Sequence, residues 1–173
     1  RSSASIASSI PTTRSRDRRT DGRAVTVIEQ LAVWAAGLTW GGVPDAVRRR
    51  ARWQLGAVLA STLDGPDNIA GRALLARAGE TGEAPVPGTD RRGTAPGAAG
   101  VAAGLATVLD QCDLIPGAAA GPAAVWPAIV LGAAAGADVD DVLTAQVAAN
   151  EVMGRLGLAT FIGPHHAENS VHV

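Results

Sequence analysis

Tyrosine and lysine are absent from this chain of 173 residues, and phenylalanine occurs once. Four tryptophans are the only other aromatics, so an aromatic-rich core is excluded and helices lined with alanine and glycine must make the core by close approach. A single cysteine, Cys112, rules out an intrachain disulfide and suits a reducing compartment, which points to the cytoplasm. Neither charge is in excess. A net charge of −1 and a pI near 6.3 give no global attraction to nucleic acid or to an anionic membrane. Also missing is an unbroken run of large apolar residues. Leu114 to Ala137 is uncharged and long enough to suggest a membrane span, yet Pro116, Pro122 and Pro127 interrupt it and most of the rest is alanine and glycine. A central helix packed on all sides by protein fits that stretch better than lipid does. Phosphate-cradling loops are missing too: GLATVLD and GVAAGLA lack the strand before and the lysine after that such loops need. The dominance of alanine and glycine is the codon usage expected of a GC-rich bacterial source.

A chain of this length can bury one sizeable core. Residues 1–23 (RSSASIASSIPTTRSRDRRTDGR) hold six arginines and two aspartates among serines and threonines. So little apolar surface cannot offset the entropy of ordering, so this segment reads as a disordered tail, and without an apolar h-region it is no secretory signal. The domain is therefore expected over 24–173. Thr26-Val27-Ile28-Glu29 is a capping-box pattern, and Ile28, Leu31, Ala35 and Leu38 follow at helical spacing, predicting a first helix over Val27 to Leu38. Pro44 and Asp45 suit the first turn of a second helix, with Val47, Ala51, Val58 and Leu59 on one face and Arg48, Arg49 and Arg52 on a solvated one. Asp67 is expected to cap a short third helix ending near Gly79. Glu80 to Ala95 reads as loop or short extended segments, Pro96 opens a fourth helix that delivers Asp110, and a second loop runs from Gln111 to Gly121. Pro122 restarts a fifth helix whose Gly132 and Gly136 offer a small-residue face; a last long helix then follows a cap at Asp138 and reaches about Ala159. No strand alternates cleanly, so the expected class is all-α, with Trp34, Leu55, Val58, Leu105, Trp126, Ile129 and Leu143 in the core.

Chemistry-bearing residues gather in two places. Asp110 and Asp113 lie beyond the C-terminal end of the fourth helix, where the helix dipole disfavours a carboxylate and raises its pKa toward the range useful for proton transfer. Local turn hydrogen bonding and capping would equally account for two aspartates in a loop. Next to them, the helix start at Pro122 to Ala124 offers backbone N–H groups to an anionic substrate. All three histidines, His165, His166 and His172, fall in the C-terminal FIGPHHAENSVHV, where they could move protons near neutral pH or be no more than a solvated end. No pair among Asp110, Cys112, Asp113 and the histidines has a characteristic metal-ligand spacing, so no metal and no cofactor is expected. The neighbouring aspartates raise the pKa of Cys112, which makes it an inert thiol rather than a nucleophile.

Gly88-Thr89, Arg91-Arg92, Ala95-Pro96, Leu109-Asp110, Asp113, Pro122 and Val125-Trp126-Pro127-Ala128 occur in an order and spacing that resembles one enzyme family. That family is MmgE/PrpD, which includes 2-methylcitrate dehydratase, cis-aconitate decarboxylase and iminodisuccinate epimerase. Its members run from a GTG-like turn through basic residues and S-A-P into a small-residue helix, then L-D-x-D-D-T, H-P-S and V-x-P-A. Upstream, Leu31 to Ser61 looks like the family's opening helical pair; downstream, Asn150 to Gly157 looks like its E-V-x-x-R-L-G helix. The resemblance implies the helical first domain of a metal-independent, cofactor-free enzyme. It also implies acid/base elimination or isomerisation on a small carboxylated or polyfunctional metabolite. By the same resemblance Asp110 coincides with the first aspartate of L-D-x-D-D-T, and His172 lies about where a catalytic histidine follows E-V-x-x-R-L-G. The motif's threonine falls at Leu114, its H-P-S histidine at Gly121 and a further family histidine at Thr107. None of these three can supply the side chain the family uses there.

Two readings follow. In one, Asp110 and His172 are the acid/base pair, with Asp113, Pro122, His165 and His166 supporting or binding substrate. In the other, the chain is a non-catalytic helical subunit that keeps the fold and a dimer surface. The family's site also draws lysine and tyrosine from later sequence, and this chain has neither. A homo- or hetero-oligomer is therefore expected, with a complementary chain carrying the rest of the family fold, and with the apolar face from Val125 to Gly136 as a candidate interface.

Overall fold

Six α-helices account for most of the described residues in the computed structural model, which describes residues 25–77, 81–107, 114–115 and 118–160. The expected tail, Val108 to Asp113 and the three histidines lie outside them. In chain order the helices are α1 (Val27–Ala36), α2 (Asp45–Asp64), α3 (Ile69–Arg77), α4 (Ala95–Thr107), α5 (Gly121–Ala135) and α6 (Val139–Thr160). Two minimal antiparallel hairpins complete the set. Strands β1 (Ala84–Pro85) and β2 (Arg92–Gly93) pair Ala84 with Gly93, and β3 (Leu114–Ile115) and β4 (Ala118–Ala119) pair Leu114 with Ala119.

The chain divides into two units, Arg1–Ala36 and Gly37–Val173. In the first, the capping box forms as its sequence predicts. Thr26 Oγ1 accepts from the Glu29 N–H at 3.2 Å, and the Thr26 N–H donates to Glu29 Oε2 at 2.6 Å. Helix α1 ends at Ala36 rather than Leu38 and buries none of its residues, so Trp34 is half-buried and not part of the core.

In the second unit α4 lies at the centre, with α5 its most extensive partner and α2 next. The fully buried residues of α4 are Ala98, Ala99, Ala102, Leu105 and Ala106; four methyl-sized side chains let the neighbouring helices come close. Against them pack Val58 of α2, Val125, Trp126 and Val130 of α5, and Val86 beside the first hairpin. Leu55 and Ile129 join this cluster half-buried, and Leu143 is buried on α6. Leu59, expected on the inner face of α2, is instead 37% exposed. The turn between α2 and α3 is held close to α4 through glycine: a Cβ on Gly65 would lie 2.6 Å from the Leu105 carbonyl oxygen, and one on Gly71 2.0 Å from that of Gly65.

Caps explain where the helices begin. Asn68, not Asp67, caps α3, its Oδ1 accepting from the Ala70 N–H at 2.8 Å, because Asp67 is taken into a short 3-10 turn. Thr94 caps α4, so that helix starts at Ala95, one residue before Pro96. Gly136 ends α5 in the left-handed conformation at φ +71°, and Asp138 Oδ1 then accepts from the Asp141 N–H at 2.9 Å to start α6. Gly132 alone lets α6 approach α5, since a Cβ there would sit 2.9 Å from Val142 Cγ2, whereas Gly136 serves as the cap. Pro127 sits inside α5 without ending it, removing one backbone donor. No described helix is long and apolar enough to cross a membrane.

Two groups of side-chain bonds bridge the helices. Trp126 Nε1 donates to Thr62 Oγ1 at 2.9 Å, and Thr62 Oγ1 donates to the Val58 carbonyl at 2.7 Å, joining α5 to α2 inside the core. Gln146, fully buried on α6, donates through Nε2 to the Ala51 carbonyl at 2.9 Å and to Gln54 Oε1 at 2.6 Å, while Asn150 Nδ2 reaches Gln54 Oε1 at 2.7 Å. At the start of α2, Arg48 and Arg52 lie over the Trp40 ring at 5.9 and 5.3 Å, and Arg48 also pairs with Asp45.

Two outcomes are expected. Thr62→Val keeps the volume but leaves the Trp126 indole N–H buried without an acceptor, so urea unfolding should show a loss of about 1–3 kcal/mol; Thr62→Ser, which keeps the oxygen, should lie nearer the parent. Asp45 has its pKa held down by its hydrogen bond to Arg48 and then by the charges of Arg48 and Arg49. A depressed folded-state pKa contributes stability that is present above the ordinary aspartate value of about 3.9 and is lost as pH falls through the folded value. A carboxyl NMR titration should therefore find the Asp45 midpoint below that of an ordinary aspartate, rising toward it in Arg48→Gln.

Candidate active site

Helices α4 and α5 bracket the sequence that carries the candidate acid/base residues. Helix α4 ends at Thr107, whose hydroxyl donates back to its own helix, to the carbonyls of Ala103 at 3.0 Å and Gly104 at 2.8 Å. Asp110 and Asp113 follow it in sequence and lie outside the described residues, as does Cys112. Beyond them the hairpin of β3 and β4 folds the chain back on itself, pairing Ile115 with Ala118 and leading into α5 at Gly121. The loop expected from Gln111 to Gly121 therefore contains a small sheet. Leu114, at the position of the family threonine, is the first residue of β3.

The start of α5 is an interior feature. Ala120, Gly121, Pro122 and Ala124 are all buried, and Met153 of α6 packs against Ala120 and Ala124. The Ala124 N–H donates to the Ala120 carbonyl at 2.8 Å and proline has no N–H, so two of the three positions from Pro122 to Ala124 offer no N–H to an anion. Pro122 is thus a buried residue at the helix start and has no N–H to donate. Gly121, where the family has histidine, is the first helical residue and brings no side chain.

The remaining motif residues are occupied structurally. Thr89 turns the chain after Val86, its Oγ1 donating to the Val86 carbonyl at 2.9 Å and accepting from the Arg91 N–H at 3.1 Å. Arg91 NH1 reaches the Leu75 carbonyl on α3 at 2.6 Å, and Arg92 donates to the Glu83 carbonyl across the first hairpin. In α6, Glu151 and Arg155 pair with one another one turn apart, Arg155 Nε to Glu151 Oε1 at 2.8 Å. His165, His166 and His172 lie outside the described residues.

Sequence reasoning passed over the Gln54, Gln146 and Asn150 cluster. Its signal was available: Leu143, Gln146, Met153 and Gly157 are the buried positions of α6 and recur at helical spacing, with a polar residue in the middle. Gln146 Oε1 is buried without a partner among the described residues. Of the stretch from Val125 to Gly136, expected as an interface, Val125, Trp126 and Val130 are buried, Pro127, Ala128, Ile129 and Gly132 are half-buried, and Leu131 and Ala133 to Gly136 are exposed.

No curated protein and no solved structure matches the chain. The family model for the MmgE/PrpD N-terminal domain matches residues 29–173, taking in every described helix of the second unit and the whole bracketed segment with Asp110 and Asp113. On that match, and on the all-helical architecture that accompanies it, the chain belongs to the MmgE/PrpD family.

Proposed function

We propose that this chain forms the helical part of a lyase or isomerase that acts on a small carboxylated metabolite by acid/base chemistry. The observation that carries this reading is the family match across 29–173, which includes the segment between α4 and α5 where the acidic motif falls. In such a reaction a general base removes the proton from carbon next to a carboxylate. Either a neighbouring hydroxyl then leaves as water after protonation, or a proton returns on the opposite face. Asp110 is the candidate for one of these transfers and His172 for the other, with Asp113, His165 and His166 as candidate supporting groups. Asp110 follows the C-terminal end of α4 in sequence, and a carboxylate near the negative end of a helix dipole favours the protonated form that a general acid requires.

Three positions supply no polar contribution of the family kind: Leu114, Gly121 and the back-bonded Thr107. The chain also contains neither lysine nor tyrosine. The remaining polar groups must then come from sequence outside these 173 residues, in the same polypeptide or in a second chain. The same three positions favour a second reading, in which the helical domain supports an assembly and performs no chemistry.

The experiment that separates the two uses the chain together with a protein carrying the complementary family segment. Di- and tricarboxylic hydroxy acids are incubated in D2O, and deuterium incorporation next to the carboxylate is followed by proton NMR. Exchange or elimination by the pair, lost in Asp110→Asn while stability changes by no more than about 1 kcal/mol, supports the enzyme. Parent activity retained in Asp110→Asn removes that residue from the chemistry; unfolding of the variant without a separate functional loss makes it a structural cap. No exchange with any substrate favours the scaffold.

A further inference from the structure

Three carboxamides meet between α2 and α6, Gln54 from the first helix and Gln146 and Asn150 from the second. Each brings two N–H donors and an oxygen with two lone pairs, so what the bonds among them leave over can be counted. The Ala51 carbonyl sets the orientation. A backbone acceptor cannot turn, so the Gln146 amide presents Nε2 to it, at 2.9 Å. The other Nε2 hydrogen goes to Gln54 Oε1 at 2.6 Å, and that oxygen also accepts from Asn150 Nδ2 at 2.7 Å. Gln54 Nε2 returns a bond to Asn150 Oδ1 at 3.3 Å. Both Gln146 donors and both lone pairs of Gln54 Oε1 are then taken. Left over are Gln146 Oε1, without a partner in a residue that is 0% exposed, and one N–H each on Gln54 and Asn150 that has no further bond among the described residues. Turning the Gln146 amide over gives no relief, because Oε1 would then face two oxygens, the Ala51 carbonyl and Gln54 Oε1.

We propose that this cluster is a binding site for one internal water molecule, which donates to Gln146 Oε1 and accepts the remaining N–H of Gln54 or Asn150. What is left over decides the class of ligand. A bound cation needs several oxygens, whereas here one wholly free oxygen stands beside N–H donors, and no group of metal-holding side chains occurs among the described residues. An anion would be repelled by Oε1. A molecule that both donates and accepts suits the set, and water does so in the smallest volume; interior waters characteristically make two to four bonds to buried polar groups of this kind. Gln54 and Asn150 are half-buried while Gln146 is buried, so the cluster runs from the interior toward the surface. The water adds a link between α2 and α6 where the direct amide bonds leave an acceptor unmet, and leaving that acceptor unmet would destabilise the contact. The inference concerns this helix contact and holds whether or not the chain is catalytic.

In the full, isotope-labelled chain, the Gln146 side-chain amide should show cross-relaxation from water with NOE and ROE of opposite sign, the mark of a long-held water that proton exchange does not give. A crystal structure should place that water within hydrogen-bonding distance of Gln146 Oε1 and of Gln54 Nε2 or Asn150 Nδ2. Gln146→Met keeps the length of the side chain and removes the oxygen, so water-oxygen relaxation dispersion should count one long-lived water fewer than in the parent. A parent whose Gln146 amide meets no long-held water overturns the proposal. So does an Oε1 that takes its donor from elsewhere in the chain or from the hydroxyl of a larger ligand, and so does a folded Gln146→Met with the parent's water count. Where Gln146→Met does not fold, the NOE and ROE signs at the parent's own amide decide.

Discussion

Without large side chains to fill gaps, helices can exclude water only by coming close enough for alanine to suffice, and α4 is where this chain does so. Ala98, Ala102 and Ala106 are 0% exposed, in contact with α2 on one side and α5 on the other. Each such contact is weak by itself, since a methyl group removes little area from water. Packing density has to make up the difference, and density leaves little room for substitution. The glycine approach of Gly71 to Gly65 and the setting of Trp126 against α2 are consequences of the same constraint. Where the chain does place a large residue inside, it fixes it with a bond: Trp126 is oriented by Thr62, which is itself tied to the α2 backbone.

A core of methyl groups specifies little about which helix lies next to which, because one alanine face fits another in several registers. The buried polar bonds supply distinctions that the apolar surface lacks. The Gln146 Nε2 donors meet the Ala51 carbonyl and Gln54 Oε1 with α6 in this position along α2. Misregister would leave those groups buried and unpaired, a cost of about 1–3 kcal/mol for each. Polar residues on the buried stripe of α6 are thus the counterpart of the alanines on α4.

The helices were legible in the sequence because their signals are local. Thr26 and Glu29 form their capping box from adjacent residues, and Gly136 and Asp138 mark one helix end and the next start by backbone geometry alone. What was less legible depends on other parts of the chain. Leu59 and Val58 look equivalent by hydrophobicity, and only the position of α4 decides that Val58 is inside and Leu59 is 37% exposed. Trp34 carries a large apolar side chain, yet α1 buries no residue fully. A helix apolar on every side suits a central position, and Trp126 and Val130 take that position while Leu131 and Ala133 to Ala135 stay exposed. Hairpins of two residues per strand show no period-two pattern at all, which is why β1 and β2 read as loop or short extended segments and β3 and β4 as loop.

For the candidate site the order of legibility is reversed. Family motifs located the segment between α4 and α5 without any geometry, and the fold then showed what several motif residues do. Glu151 neutralises Arg155, Arg91 and Arg92 bind carbonyls of α3 and the first hairpin, and Pro122 is enclosed by its own helix start. A motif in sequence therefore mixes groups kept for chemistry with groups kept for the scaffold, and burial and hydrogen bonding separate them. A charged side chain already paired within its own helix or tied to a local carbonyl would have to give up that bond to meet a substrate. Asp110 and Asp113 fall in sequence between α4 and α5, inside the stretch that the family model matches, and it is on that match, not on the better-bonded remainder of the motif, that the acid/base proposal rests.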